Sequence, residues 1–262
     1  MLNNDPIGFF DSGVGGTSIW REVIQRLPYE NTIYLADSKN APYGEKDKDA
    51  IIELSIKNTE YLLSQNCKLI VVACNTATTN AIQHLREKYD VPFIGIEPAI
   101  KPAALNTKNG AIGILATKGT LSSSLFAKTS SLFASNIEVI ETMGTGLVEL
   151  IEAGQLNSQE TKRLLHRLLK PMLDRNIDHL VLGCTHYPYL IPLLREMMPA
   201  SVKIIDSGEA VARQTENILR TRELLGESQN PTHCLYSNKS IAVLEQLTSS
   251  VQTDKKVEFL EF

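Results

Sequence analysis

Short runs of aliphatic, β-branched and aromatic residues alternate along the chain with longer stretches whose apolar positions recur every three or four residues. Ile7-Gly8-Phe9-Phe10 reads as a strand. After the turn Asp11–Gly16, a helix runs through Ile19, Val23, Ile24 and Leu27 and stops at Pro28. Thr32–Ala36 is a second strand and leads into the loop Ala41-Pro42-Tyr43-Gly44. An amphipathic helix over Lys46–Gln65 follows, then a strand through Leu69–Ala73 ending at Cys74. A helix near Ala77–Tyr89 and a strand over Pro92–Ile96 complete this half. Strands that alternate with helices predict an α/β fold with parallel sheets flanked by helices.

The second half repeats the order. Ala111–Leu115, Ile137–Ile140, Leu180–Gly183 and Val202–Ile205 correspond to the four strands of the first half. Cys184 lies 110 residues beyond Cys74 (184 less 74), and Thr117 lies 106 beyond Asp11 (117 less 11). The pattern predicts two similar domains, each a parallel sheet flanked by helices, related by a pseudo-two-fold duplication with the active site between them. The expected division is residues 1–97 plus 207–262, carrying Cys74, and residues 98–206, carrying Cys184. Asp206–Phe262 has no counterpart in the first half and is expected to pack back onto one domain. The 262 residues are enough for two modest cores.

Composition narrows the partners. The formal net charge is −4, and no Lys/Arg stripe forms, so neither nucleic acid nor an anionic membrane is expected as a partner. No apolar stretch approaches the ~20 residues that span a bilayer. Met1–Pro6 lacks a charged segment followed by an apolar one, and a cytoplasmic protein is expected. Cys67, Cys74, Cys184 and Cys234 are too few for a disulfide framework and lack C-x-x-C spacing.

Ligands of open parallel sheets bind beyond the carboxyl ends of the strands. Asp11, Asp37, Cys74, Thr117 and Cys184 all occupy such ends. Two like thiols, one from each half, can reach a substrate from opposite faces, which is the geometry a racemase needs. A helix that starts at a thiol is expected to lower its pKa, and His186, two residues from Cys184, is placed to polarise that thiol further. Asn75, Thr76, Thr185 and His186 serve equally as helix caps or as ligand-binding groups. The glycine-rich turn Asp11–Gly16 departs from G-x-G-x-x-G at Ser18. It suits a carboxylate held on backbone N–H groups, with Asp11 receiving an amine, better than a dinucleotide. On pattern alone Glu152 is a solvated helix residue and Pro42-Tyr43-Gly44 an ordinary turn.

Together these segments resemble the glutamate racemases of the aspartate/glutamate racemase family. The resemblance rests on Phe10–Gly16, Ala36-Asp37-Ser38 with Pro42-Tyr43-Gly44, Ala73–Ala77, Leu182–Pro188 and Asp206-Ser207-Gly208. It implies a cofactor-independent enzyme that interconverts L- and D-glutamate and supplies D-glutamate for peptidoglycan. It assigns Cys74 and Cys184 as the catalytic acid/base pair, with Asp11, Glu152 and His186 in support. The positions matching Asp11, Ser12, Pro42, Tyr43, Gly44, Asn75, Thr76, Thr117, Thr120, Thr185 and His186 surround the substrate in that family. No metal is implied. Ala116 and Ala36 stand where the family commonly has glycine. The start lacks the long extension through which some members respond to a cell-wall precursor, and such regulation is not expected. A homodimer is left open. So are an aspartate-directed racemase, a zinc hydrolase using Cys74, Cys184 and His186, and a dinucleotide-binding module.

Overall fold

The computed structural model describes residues 2–262. The chain opens with β1 (Ile7–Asp11), α1 (Thr17–Arg26), β2 (Thr32–Ala36), α2 (Lys48–Ser64), β3 (Leu69–Val72), α3 (Asn75–Lys88) and β4 (Phe93–Gly95). It continues with α4 (Ile100–Asn106), β5 (Ala111–Ala116), α5 (Lys118–Leu121), α6 (Ser124–Phe133), β6 (Glu138–Met143), α7 (Leu147–Glu152) and α8 (Gln159–Leu173). It closes with β7 (His179–Gly183), α9 (Ile191–Met197), β8 (Lys203–Ile205), α10 (Gly208–Thr221), β9 (His233–Ser237), α11 (Ala242–Thr248) and β10 (Lys255–Phe259).

Two parallel sheets result: six strands in the order β10-β9-β2-β1-β3-β4, and four in the order β6-β5-β7-β8. The first four strands and the second four thus take the same spatial arrangement, second-first-third-fourth. Strands β1, β3, β5 and β7 are buried along their whole length, as their largely apolar runs require when helices cover both faces. β6 is an edge strand with no fully buried residue, Glu138 and Glu141 breaking its apolar run. The terminal segment extends the larger sheet: β9 pairs with β2 from Thr32↔His233 to Ala36↔Ser237, and β10 pairs with β9. One apolar core contains Phe9 and Trp20 from the first sheet's side together with Leu182, Leu190 and Ile151 from the second. Smaller cores lie beneath α2 and α3 and beneath α4 and α6.

Three local expectations change. The second helix starts at Lys48, because Asp47 caps it through an Ala50 N–H bond of 2.8 Å, and Tyr43–Glu45 forms a separate 3-10 turn. The third helix begins at Asn75, and its cap is the thiol of Cys74, whose Sγ accepts the Ala77 N–H at 3.4 Å. Asn75 and Thr76 therefore do not cap it. No α-helix begins directly after Cys184. A 3-10 turn over Tyr187–Leu190 comes first, and α9 starts only at Ile191. Pro188 and Pro192 explain this, since neither supplies a backbone N–H and each fits only the first turn of a helix.

Candidate active site

Register brings the strand ends together. β1 lies between β2 and β3, so Asp11 pairs with Ala36 and Phe10 with Val72. Asp37, Ser38 and Cys74 therefore emerge beside Asp11. In the other sheet Ala116 pairs with Gly183, which sets Thr117 beside Cys184. The two sets of ends face each other across a small, nearly closed pocket. Ser12, Pro42, Tyr43, Gly44, Cys74, Asn75 and Thr76 line it from one side; Thr117, Val148, Cys184, Thr185 and His186 line it from the other.

Both thiols are buried and free. Burial and the neighbouring Asp11 charge push the Cys74 thiol well above its usual range, and the Ala77 and Ser12 N–H groups oppose this without prevailing. The expected lowering by the helix terminus is thus overridden by desolvation. Asp11 does not line the pocket. It sits fully buried beneath it, accepting N–H bonds from Ser12 at 2.7 Å and Gly16 at 2.6 Å, and the Thr185 hydroxyl at 3.3 Å. Burial raises its carboxyl above the ordinary value, against the pull of His186 and Cys74. With its oxygens occupied and out of the pocket, Asp11 is a neighbour of Cys74 rather than a free receptor for an amine.

Beside Cys184 the arrangement differs. His186 Nδ1 lies 3.7 Å from Cys184 Sγ and 4.0 Å from Asp11 Oδ2, while Nε2 donates to Glu152 Oε1 at 2.6 Å. Burial lowers the imidazole's pKa, but the bonds to Cys184 and Glu152 and the charges around it outweigh this, so His186 titrates well above its usual range. Glu152 also receives the Val14 N–H at 2.7 Å and the Ser38 hydroxyl at 2.8 Å. Burial alone would raise its carboxyl; the His186 bond and charge, with Val14 and Ser38, hold it below the ordinary value. Glu152 is therefore not a solvated helix residue. It stands behind His186, outside the pocket lining.

The remaining polar groups divide in two. Thr76 and Thr117 share a hydroxyl hydrogen bond of 2.8 Å, and Thr120, also behind the lining, meets Thr117 at 3.0 Å. Tyr43 is fixed by Asp37 at 2.5 Å and by the Asn58 amide at 3.1 Å. Asn75 differs from these: its Oδ1 and Nδ2 are both buried and have no partner among the described residues. A buried amide without partners costs about 1–3 kcal/mol per unmet group and calls for a ligand or water. Sequence reasoning passed over Val148, and also Ser38 and Asp37 as the supports of Glu152 and Tyr43. The strand-end rule that selected Asp11 and Asp37 applies equally to Ser38, the next residue after Asp37 beyond β2.

Residues 17–215 match the Asp/Glu/Hydantoin racemase family. The chain is 51% identical over 225 residues to the glutamate racemase of Pseudomonas paraeruginosa, covering 86% of this chain and 85% of that one. Its fold superimposes on Escherichia coli glutamate racemase, solved with L-glutamate and the activator UDP-MurNAc-ala, with a TM-score of 0.85 at 35% identity, covering 97% and 98% of the two chains. It also matches the Francisella tularensis glutamate racemase solved with D-glutamate, with a TM-score of 0.84 at 29% identity, covering 99% and 98%. Among the described residues no group of three or more His, Cys, Asp or Glu side chains is arranged to hold a metal ion, and no helix is long and apolar enough to cross a membrane. The two-sheet architecture, the paired thiols at facing strand ends and these likenesses agree: the chain belongs to the Asp/Glu/Hydantoin racemase family.

Proposed function

We propose that this chain is a glutamate racemase that moves one proton at Cα between two thiols and needs no cofactor. The carrying observation is the pocket itself, which has a buried cysteine from each sheet and an unpartnered amide in its lining. One thiolate removes the Cα proton from one face, and the opposite thiol delivers a proton to the other. Cys184, beside the His186 imidazolium, is the base toward L-glutamate; Cys74, held as a thiol, is then the acid. In the reverse direction Cys74 is the base, with Asp11 beneath it to accept the thiol proton. The Cα–H is a weak acid, so the developing negative charge needs donors already in place. The Asn75 amide and the Ser12 and Thr185 hydroxyls supply them to the α-carboxylate. The Thr76, Thr117 and Thr120 hydroxyls suit the side-chain carboxylate, with Pro42, Tyr43 and Gly44 closing the wall.

In this reading the domains divide as 1–97 plus 207–262 and 98–206, the reaction runs in the cytoplasm, and its D-glutamate feeds cell-wall synthesis. The test is incubation of purified chain with L-glutamate, without added cofactor, followed by circular dichroism. Decay of the signal to zero is the expected result, with L-aspartate decaying far more slowly. An unchanged signal overturns the assignment. Metal analysis of the same preparation decides the zinc-hydrolase alternative.

A further inference from the structure

Glu152 makes its bonds almost wholly with groups from elsewhere in the chain. Its Oε1 takes the His186 Nε2 proton and the Val14 N–H, and its Oε2 takes the Ser38 hydroxyl. His186 stands on the four-stranded side, whereas Val14 and Ser38 follow β1 and β2 of the six-stranded sheet. Ser38 is buried, and its hydroxyl makes no other hydrogen bond to a described residue than the one to Glu152.

We propose that Ser38 is a positioning residue for the Cys184 half-reaction: its hydroxyl locks Glu152 across the seam between the sheets and so keeps His186 aimed at Cys184. The inference rests on the two-thiol reading for its kinetic consequence, though not for the geometry. Removing the hydroxyl takes a charge-assisted donor from a carboxylate whose side chain is only 12% exposed. Two effects follow. Glu152 becomes easier to protonate, and its grip on His186 weakens at low pH. The groups facing this carboxylate are His186, Asp11 and Tyr34, with Cys184 reached through His186 and Cys74 through Asp11. All are retained in a Ser38 variant, so a displaced titration would report the missing hydroxyl.

The experiment compares wild type, Ser38→Ala and Ser38→Thr, measuring kcat and KM in both directions across pH. Ser38→Ala should lower kcat from L to D by about tenfold and move the acid limb of that profile up by about one pH unit. The kcat from D to L should change less, while kcat/KM falls equally in both directions, as equilibrium between enantiomers requires. Ser38→Thr, which keeps the hydroxyl, should restore the limb. A merely structural serine would lower activity without moving the limb. An unmoved limb in an active, folded Ser38→Ala protein overturns the proposal. Should that variant not fold, Ser38→Cys, close in shape and a poor donor, takes its place under the same criterion. The ring-nitrogen NMR signals of His186 read the same titration without turnover. Wild type that leaves glutamate unchanged would refute the assigned reaction; an unshifted imidazole titration in the Ser38 variant would refute the lock.

Discussion

Gly15→Ala tests whether the closed seam is the working form of the molecule. An added Cβ at residue 15 would lie 2.2 Å from His186 Nδ1, 2.4 Å from its Cγ and 2.6 Å from its backbone nitrogen. Ordinary contact begins at 3.4 Å, so ring and backbone must withdraw by about 1.2 Å (3.4 less 2.2). The ring alone cannot absorb this, since it is tied to Glu152 at 2.6 Å and the backbone atom is also struck. Overpacking of this kind costs about 1–3 kcal/mol of stability. A misplacement near 1 Å at a reacting group costs on the order of 10²-fold in rate. The variant should therefore fold, melt several degrees lower and lose about 10²-fold in kcat/KM for glutamate, measured well below its melting temperature. Turnover within about threefold of wild type would refute the reasoning, because it would mean that the sheets stand farther apart when the proton moves.

Cys74→Ala and Cys184→Ala should each keep a native far-ultraviolet spectrum and abolish racemisation; in D2O the wild-type product should carry deuterium at Cα from its first formation, and early product retaining its hydrogen would sink the two-base scheme. Asn75→Ala should lose about 10- to 100-fold in kcat/KM, the worth of donors to a charged carboxylate, while its urea midpoint stays at or above the wild-type value because the amide has no partner in the fold. His186 titrates above its unfolded value, so its contribution to stability is complete below about pH 6.5 and is lost as pH rises, by at most about 1.4 kcal/mol per pH unit; His233, shifted down by burial, acts below that window. Urea midpoints between pH 6.5 and 8 should thus fall for wild type and stay flat for His186→Asn, and parallel slopes would contradict the assignment.

Much of the architecture was legible because burial on both faces leaves a mark that needs no partner to be seen. β1, β3, β5 and β7 are largely apolar runs, and their recurrence in the second half anticipated the repeated strand order. Of the pocket lining, the strand-end rule alone picked out Cys74, Thr117 and Cys184, while Pro42, Tyr43 and Gly44 read as an ordinary turn and were singled out only by the family resemblance. What stayed hidden depends on distance across the seam. Glu152 follows an ordinary helical pattern and was singled out in the sequence only by the family resemblance; what it does there is visible only in its bonds to His186, Val14 and Ser38. The titration of Cys74 was read in the wrong direction because a helix terminus is visible in sequence while full desolvation beside Asp11 is not. The second thiol's missing helix came down to two prolines whose effect on the turn outweighed the repeat.

The repeated strand order has a consequence for symmetry. A chain of L-residues can copy a fold only by rotating it, never by reflecting it. The two forms of a chiral amino acid are related by reflection and by nothing else. A duplicated fold can therefore offer two like thiols to mirror-image substrates, but it has no means of giving them mirror-image surroundings. The unlike flanks, a buried carboxylate beneath Cys74 and an imidazole–carboxylate pair beside Cys184, are the form that this mismatch takes here. In ordinary water the two products are equally stable, whatever the protein does. Handedness can then enter only through how long each enantiomer is held and which step is slow, and that is where natural variation among such proteins has room to act.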